Sequence, residues 1–224
     1  STNLHHWTIV QEARKKGAKV VVIDSYKSRT AKQADWHIEP QPGSDGALAV
    51  ALINHIIYNN LTDQNYIKNH TNGFEELKAH VKDKTPKWAS KITGIDEEDI
   101  KKLAYEISTS QPVGIRIGVA LERHHGGGQT IRAVTCIPAL TGSWKYVGGG
   151  ITQFPVWEHP YKFDVICRPD LIPKGTRVVN ALQIGRALLG ENIDKEKPIM
   201  SMMCWNANPV TQATETDKIV KGLQ

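Results

Sequence analysis

Residues 7 to 24 carry a helix-to-strand transition that few folds can accept. Trp7, Ile9, Val10 and Ala13 recur at helical spacing, Arg14, Lys15 and Lys16 fill the last turn, and Gly17 follows as a stop. Lys19-Val20-Val21-Val22-Ile23-Asp24 is then a continuous, mostly β-branched run. That pattern predicts a strand covered on both faces, as parallel sheets require. A helix, a glycine and a buried strand ending in Asp make half of a βαβ unit. The strand that should lead into the helix is missing, so the chain is expected to begin inside a domain. Ser1-Thr2-Asn3-Leu4 is neither an initiator methionine nor a signal sequence.

Further elements follow the same logic. Trp36-His37-Ile38-Glu39 is a second strand candidate, closed by the turn Pro40-Gln41-Pro42-Gly43-Ser44. A helix starts at Asp45 with Leu48, Leu52, Ile53, Ile56 and Ile57 as its buried set, Ser44 or Asp45 as N-cap, and Asn59-Asn60 as its end. Residues 63 to 110 predict short helices; one presents Phe74, Leu77 and Val81, and another starts with acid at Asp96-Glu97-Glu98-Asp99, complementing the helix dipole. A strand over 113–118, a His- and Gly-rich loop and a helix over 129–141 come next. Residues 151–175 predict a long irregular excursion, kept ordered by Phe154, Trp157, Tyr161 and Phe163. A helix over 178–189, a strand over 199–204 and a helix over 215–223 complete the pattern. The expected fold is α/β: a mostly parallel, Rossmann-like sheet flanked by helices, with a helical insertion. Residues 1–224 are expected to form one central region of a larger protein, truncated at both ends.

Composition removes several classes of function. Hydrophobic residues at 40% allow an ordinary globular core. The net charge of +5 comes from scattered Lys and Arg, so a solvated basic surface is favoured over a nucleic-acid groove, and a phosphate-bearing cofactor suits the balance. Cys136, Cys167 and Cys204 are isolated, which argues against a disulfide framework and a local zinc or iron–sulfur site. It also fits a reducing compartment, which favours the cytoplasm. No apolar stretch approaches the roughly 20 residues of a membrane span.

In open parallel sheets, ligands bind beyond the carboxyl ends of the strands. Asp24 either accepts hydrogen bonds from ribose hydroxyls or a purine N–H, or caps the following turn. Ser25, Lys27 and Ser28 offer phosphate donors or are ordinary loop residues. Pro42-Gly43-Ser44-Asp45 lies at a helix N-terminus, where free N–H groups attract anions or nucleotide edges and Asp45 can also cap. Asn206 and Asn208 either present amides to a base or pterin edge, or form a plain Asn-Pro turn. The neighbours His124 and His125 point in different directions and lack a third ligand nearby, so no metal site is expected. Neither a Walker A loop nor a classical dinucleotide fingerprint occurs, and no catalytic Ser-His-Asp set or carboxylate pair stands out.

In combination these pieces resemble the central region of the molybdopterin oxidoreductase family, of the dimethyl sulfoxide reductase type. The resemblance is carried by residues 12–19 leading to Val22-Ile23-Asp24, Arg29-Thr30-Ala31 with Ala34-Asp35, and Pro42-Gly43-Ser44-Asp45-Gly46-Ala47-Leu48-Ala49. Asn72-Gly73-Phe74, Ile92-Thr93-Gly94-Ile95, Arg132-Ala133 through Leu140-Thr141-Gly142, Gly148-Gly149-Gly150 and Asn208-Pro209 continue it across nearly the whole chain. It implies a full enzyme holding molybdenum or tungsten between two molybdopterin guanine dinucleotides and moving oxygen atoms or hydride equivalents. By this resemblance, Asp24, Ser25, Tyr26, Lys27 and Ser28, with Gly43, Ser44 and Asp45, grip one guanine nucleotide. Val119 and Arg123 approach the pterin, and Asn206 and Asn208 face the second dinucleotide. Ser1-Thr2-Asn3 would be the tail of another cofactor loop.

Two departures are visible: Asp24-Ser25-Tyr26 stands where Asp-Pro-Arg is common, with Lys27 as the substitute cation, and Arg123 stands where Gln is frequent. The metal ligand and any iron–sulfur cysteines belong to an N-terminal part, so this stretch by itself is expected to be inactive. The implied partners are a small redox substrate, the rest of the same polypeptide and an electron-transfer subunit. The competing expectations are a non-catalytic nucleotide-binding module on the same sheet and a structural subunit that has lost its ligand.

Overall fold

Helix α2 (Asp45–Tyr58) is the element around which the core is built. Its five anticipated residues are all buried, and Ala49, Ala51 and Asn54 are buried too, so the helix is covered on more than one stripe. It packs against α5 (Pro86–Thr93), α6 (Glu97–Thr109) and α7 (Gly127–Leu140). Asn54 is tolerated there because its Nδ2 donates to the carbonyls of Val81 (2.8 Å) and Lys82 (3.2 Å). The computed structural model describes residues 4–153, 161–191 and 197–224. They fall into two compact units, Ser1–Pro160 and Tyr161–Gln224.

The first unit opens with α1 (Leu4–Lys15), which ends at Gly17 with φ +96°. Strands β1 (Val21–Ile23) and β2 (Trp36–Ile38) pair in parallel, Val21 opposite Trp36 and Ile23 opposite Ile38. Asp35 ties three elements together. It takes the guanidinium of Arg14 from α1 and, at 2.8 Å, the N–H of Val20 ahead of β1. Those donors hold its carboxyl below the usual carboxylate range, Arg14 contributing most. Between β2 and β3 lie α2, α3 (Gln64–His70), α4 (Phe74–His80), α5 and α6; those from α3 onward are the short helices expected over 63–110. Phe74 and Leu77 pack on the core, and Val81 is fully buried within it. Asp96 caps α6, accepting from the Glu98 N–H at 2.8 Å, ahead of the acidic first turn.

β3 (Gly114–Arg116) pairs in parallel with β4 (Gly150–Thr152). This is a mixed α/β chain whose described strands form two parallel pairs rather than one continuous sheet. Three expectations about strands and loops need correction. β1 is not covered on both faces: Val21 and Val22 are half-buried and Ile23 is 42% exposed, because a two-stranded pair has too few neighbours to cover it. The irregular excursion at 151–175 begins with β4 and includes α8 (Phe163–Cys167); the anticipated Phe154 and Trp157 lie outside the described residues. The third correction lies in the second unit, where 199–204 is not a strand. A strand needs a ladder, and that unit contributes no other strand among the described residues.

The remainder of the second unit is built on α9 (Ile184–Leu188) against α11 (Thr216–Leu223), with α10 (Pro209–Gln212) between them in sequence. The helix expected over 178–189 shrinks to α9 and a preceding single turn at Ala181–Gln183. Ile219 and Ala187 are fully buried at the α9–α11 contact, and Arg186 pairs with Glu215 at 2.7 Å. Gly185 and Gly222 let the two helices approach, since a Cβ on either would meet Ile219 or Leu188.

Candidate functional site

Because β1 and β2 run parallel, both strands deliver their carboxyl ends to one side. There β1 runs into Asp24-Ser25 and β2 into Pro40–Asp45. Those segments and the stretch after β3 line a single cavity of about 520 Å³. Its rim carries Asp24, Ser25, Gly43, Asp45, Gly118 and His124. Its floor is apolar, with Val21 and Ile23 of β1, Leu48 and Leu52 of α2, Ile115 of β3 and Ile137 of α7. At the opposite end, Lys19 donates to Glu106 at 2.6 Å, between the start of β1 and α6.

The rim is held by local backbone chemistry. The Asp24 N–H donates to the Ile38 carbonyl (3.1 Å), and its own carbonyl accepts from His37 Nε2 (2.8 Å). Asp24 Oδ1 accepts the Tyr26 N–H at 3.1 Å, so the capping role is realised, while Oδ2 takes no hydrogen bond among the described residues. The second turn is anchored to the end of α5, where the Gln41 N–H donates to the Thr93 carbonyl at 2.8 Å. Gly43 sits at φ +81°, a left-handed conformation that glycine adopts without strain. A Cβ there would stand 3.4 Å from His124 Nδ1, which joins this turn to the loop after β3. Gly46, in the first turn of α2, faces Thr130 of α7 so closely that a Cβ would lie 2.9 Å from its Oγ1.

Four of the anticipated residues, Asp24, Ser25, Gly43 and Asp45, therefore meet at one rim. Ser44 does not line it; its Oγ donates to the Gln41 carbonyl at 2.6 Å, and it stands at the N-cap without a side-chain cap bond. Ser28 spends its hydroxyl on the Ala31 N–H at 3.2 Å. Tyr26 and Lys27 are exposed outside the lining. Val119 and Arg123 are also exposed outside it, although their neighbours Gly118, Ala120 and His124 belong to it. Asn206, at φ +51°, and Asn208, ahead of α10, lie exposed in the second unit. Ser1-Thr2-Asn3 fall outside the described residues.

Sequence reasoning weighed His124 only as a metal ligand and missed its place on the rim. The available signal was its position in the loop after a strand. Among the described residues no group of three or more His, Cys, Asp or Glu side chains is arranged to hold a metal ion, and no helix is long and apolar enough to cross a membrane. Cys136 packs on the core, where burial pushes its thiol pKa up and disfavours the reactive thiolate.

The model of the molybdopterin oxidoreductase family matches residues 3–224. The chain belongs to the molybdopterin oxidoreductase family. Among relatives, it is 41% identical to the probable oxidoreductase YoaE of Bacillus subtilis (strain 168), over all of this chain and 32% of that protein. It is 32% identical to the probable dimethyl sulfoxide reductase chain YnfF of Escherichia coli (strain K12), over 89% of this chain and 28% of that one. Among solved structures, acetylene hydratase from Pelobacter acetylenicus superposes with a TM-score of 0.61 at 32% identity, covering 65% of this chain and 20% of its own. The chain thus spans about a third or less of the length of these relatives.

Proposed function

We propose that these residues hold the nucleotide end of a molybdopterin guanine dinucleotide within a larger molybdenum or tungsten oxidoreductase, on the carboxyl side of a Rossmann-like sheet. The observation that carries this reading is the meeting of the Asp24-Ser25, Gly43–Asp45 and Gly118–His124 segments at one rim. The chemistry of the rim suits a guanine nucleoside. Asp24 and Asp45 offer carboxylate oxygens to amide and amino N–H groups or ribose hydroxyls, and the absence of a side chain at Gly43 leaves room for close approach. Lys27, exposed next to the rim, supplies a cation for the phosphates, and Val119 and Arg123 approach the pterin. Asn206 and Asn208 are assigned to the second dinucleotide.

When bound, the cofactor supplies two-electron chemistry at its metal, for oxygen-atom or hydride-equivalent transfer. The contribution of this chain is to bind and orient its nucleotide. The remainder of the polypeptide would supply the metal ligand and any iron–sulfur cluster, and an electron-transfer subunit would accept or deliver electrons.

The test uses the full-length polypeptide, with metal content by elemental analysis and GMP released by acid hydrolysis. Molybdenum or tungsten with about two GMP per polypeptide is expected. Asp24→Ala and Asp45→Ala should each lower GMP content on the order of tenfold, the effect of losing a charge-assisted hydrogen bond. Metal without GMP would reject the dinucleotide. GMP without metal would leave the non-catalytic nucleotide-binding module standing.

A further inference from the structure

The β1–β2 ladder stops one backbone bond short at its carboxyl end, and a side chain closes it. In a parallel pair, a bonded residue donates to the carbonyl before its opposite number and accepts from the N–H after it. Val20, one step ahead of the Val21–Trp36 register, accordingly accepts from the Trp36 N–H at 3.3 Å. At the far end Asp24 stands opposite Glu39, one step beyond Ile23–Ile38, and donates to the Ile38 carbonyl at 3.1 Å. Its own carbonyl should then accept from residue 40. That residue is Pro40, which has no N–H. His37 supplies the missing donor instead, its Nε2 lying 2.8 Å from the Asp24 carbonyl oxygen.

A carbonyl oxygen can only accept, so the hydrogen sits on Nε2 and His37 is fixed as the donor. Strand alternation places the ring. Trp36 and Ile38 turn toward the α2 core, so His37 stands on the other face of the pair, half-buried. With the carbonyl bond made, Asp24 is held at three atoms: its N–H by Ile38, its carbonyl by His37 and its Oδ1 by the Tyr26 N–H at 3.1 Å. It lines the rim with Oδ2 unengaged among the described residues. Pro40 is buried and lines the same cavity, so the residue that ends the ladder is also part of the cavity wall.

We propose that His37 is a positioning residue for the nucleotide site: it replaces the ladder donor that Pro40 lacks and so holds the Asp24 carboxylate where a nucleotide N–H or hydroxyl meets it. The inference rests on the reading that Asp24 contacts the nucleotide, and it adds the group that aims it. Hydrogen bonds to a carboxylate are short and directional, and ordering a group at the moment of binding costs affinity. An Asp24 peptide free to turn therefore presents its carboxylate in many directions and binds more weakly. A half-buried carbonyl left without a donor also draws in water or swings toward solvent. His37 is not among the residues that line the cavity, so it acts through Asp24.

Gln and Leu separate the donor from the bulk at position 37, because a Gln Nε2 reaches about as far as that of His and Leu has no donor. In the full-length polypeptide, His37→Leu is expected to lower GMP content roughly three- to tenfold, the worth of one hydrogen bond, and His37→Gln to hold it near the parent level. The Asp24→Ala, His37→Leu double variant should fall no lower than Asp24→Ala, since the two residues act as one unit. Pro40→Ala restores an N–H at the end of the ladder and should return most of the GMP lost in His37→Leu, a rescue that a merely structural histidine would not show. His37→Leu at the parent level, His37→Gln as low as His37→Leu, or a further loss in the Asp24→Ala background would each overturn the proposal. If His37→Leu does not accumulate, adding Pro40→Ala must restore folded, GMP-bearing protein, and no restoration overturns it too. GMP lost in Asp24→Ala but kept in His37→Leu rejects the role of His37 alone. Full GMP in Asp24→Ala rejects the nucleotide reading, and this inference with it.

Discussion

Gly43 and Gly175 both have positive φ, +81° and +85°, but only Gly43 touches a neighbour that matters to the rim. Alanine at either position should cost roughly 1–2 kcal/mol for the left-handed backbone. Gly43→Ala also presses on His124 and is expected to lower GMP content in the full-length protein, whereas Gly175→Ala, with open space around it, should leave GMP unchanged at a similar loss in thermal midpoint. Asp63 supplies a pH-dependent contact. Its carboxyl is held below the usual range, first by Lys145 and then by the Tyr66 N–H at 2.8 Å. A depressed carboxylate pKa gives stability that is present in full above the unfolded value near pH 4 and is lost as pH falls through the lower native value. Asp63→Asn should therefore be less stable than the parent at neutral pH, with the difference shrinking in acid, as read from denaturation midpoints across that range. Residue roles of this kind were partly visible beforehand. Asp24 and Gly43 announced themselves through the types required after a strand and before a helix. The tie between His124 and Gly43 did not, because it joins positions 43 and 124 across the fold.

Among the elements, α2 has the clearest energetic signature. Ile53 is fully buried, and Ile53→Ala should cost about 2–5 kcal/mol through lost transfer energy and the cavity left behind. Asn54→Ala removes the donor to the Val81 and Lys82 carbonyls and is expected to cost about 1–3 kcal/mol. Chemical denaturation of both variants checks the ranking. Helices such as α2, α6 and α7 were legible in the sequence because their periodicity, caps and first-turn charges are local. β4 was not. Gly150-Ile151-Thr152 has no strand signature of its own and exists because β3 offers it a partner. The run 199–204 fails in the opposite direction: it has strand composition, but among the described residues no neighbouring strand in its unit completes a ladder.

For the molecule as a whole, the second unit leaves Met200, Met203 and Trp205 each at least 86% exposed. An uncovered apolar run of this kind is an aggregation hazard. Met200→Ser combined with Met203→Ser should raise the soluble fraction when the 224-residue chain is produced by itself, measured by sedimentation of the lysate. The same substitutions are not expected to change the first unit, whose core draws on residues from Ile38 to Leu140. Local pattern was enough to establish most of the helices, the mixed α/β class and the family, because each rests on neighbours within a few turns of chain or on residue order. The split into two parallel pairs and the joining of the rim at Asp24, Gly43 and His124 were not readable that way. They arise from hydrogen bonds and packing between segments remote in sequence, whose partners no local pattern names.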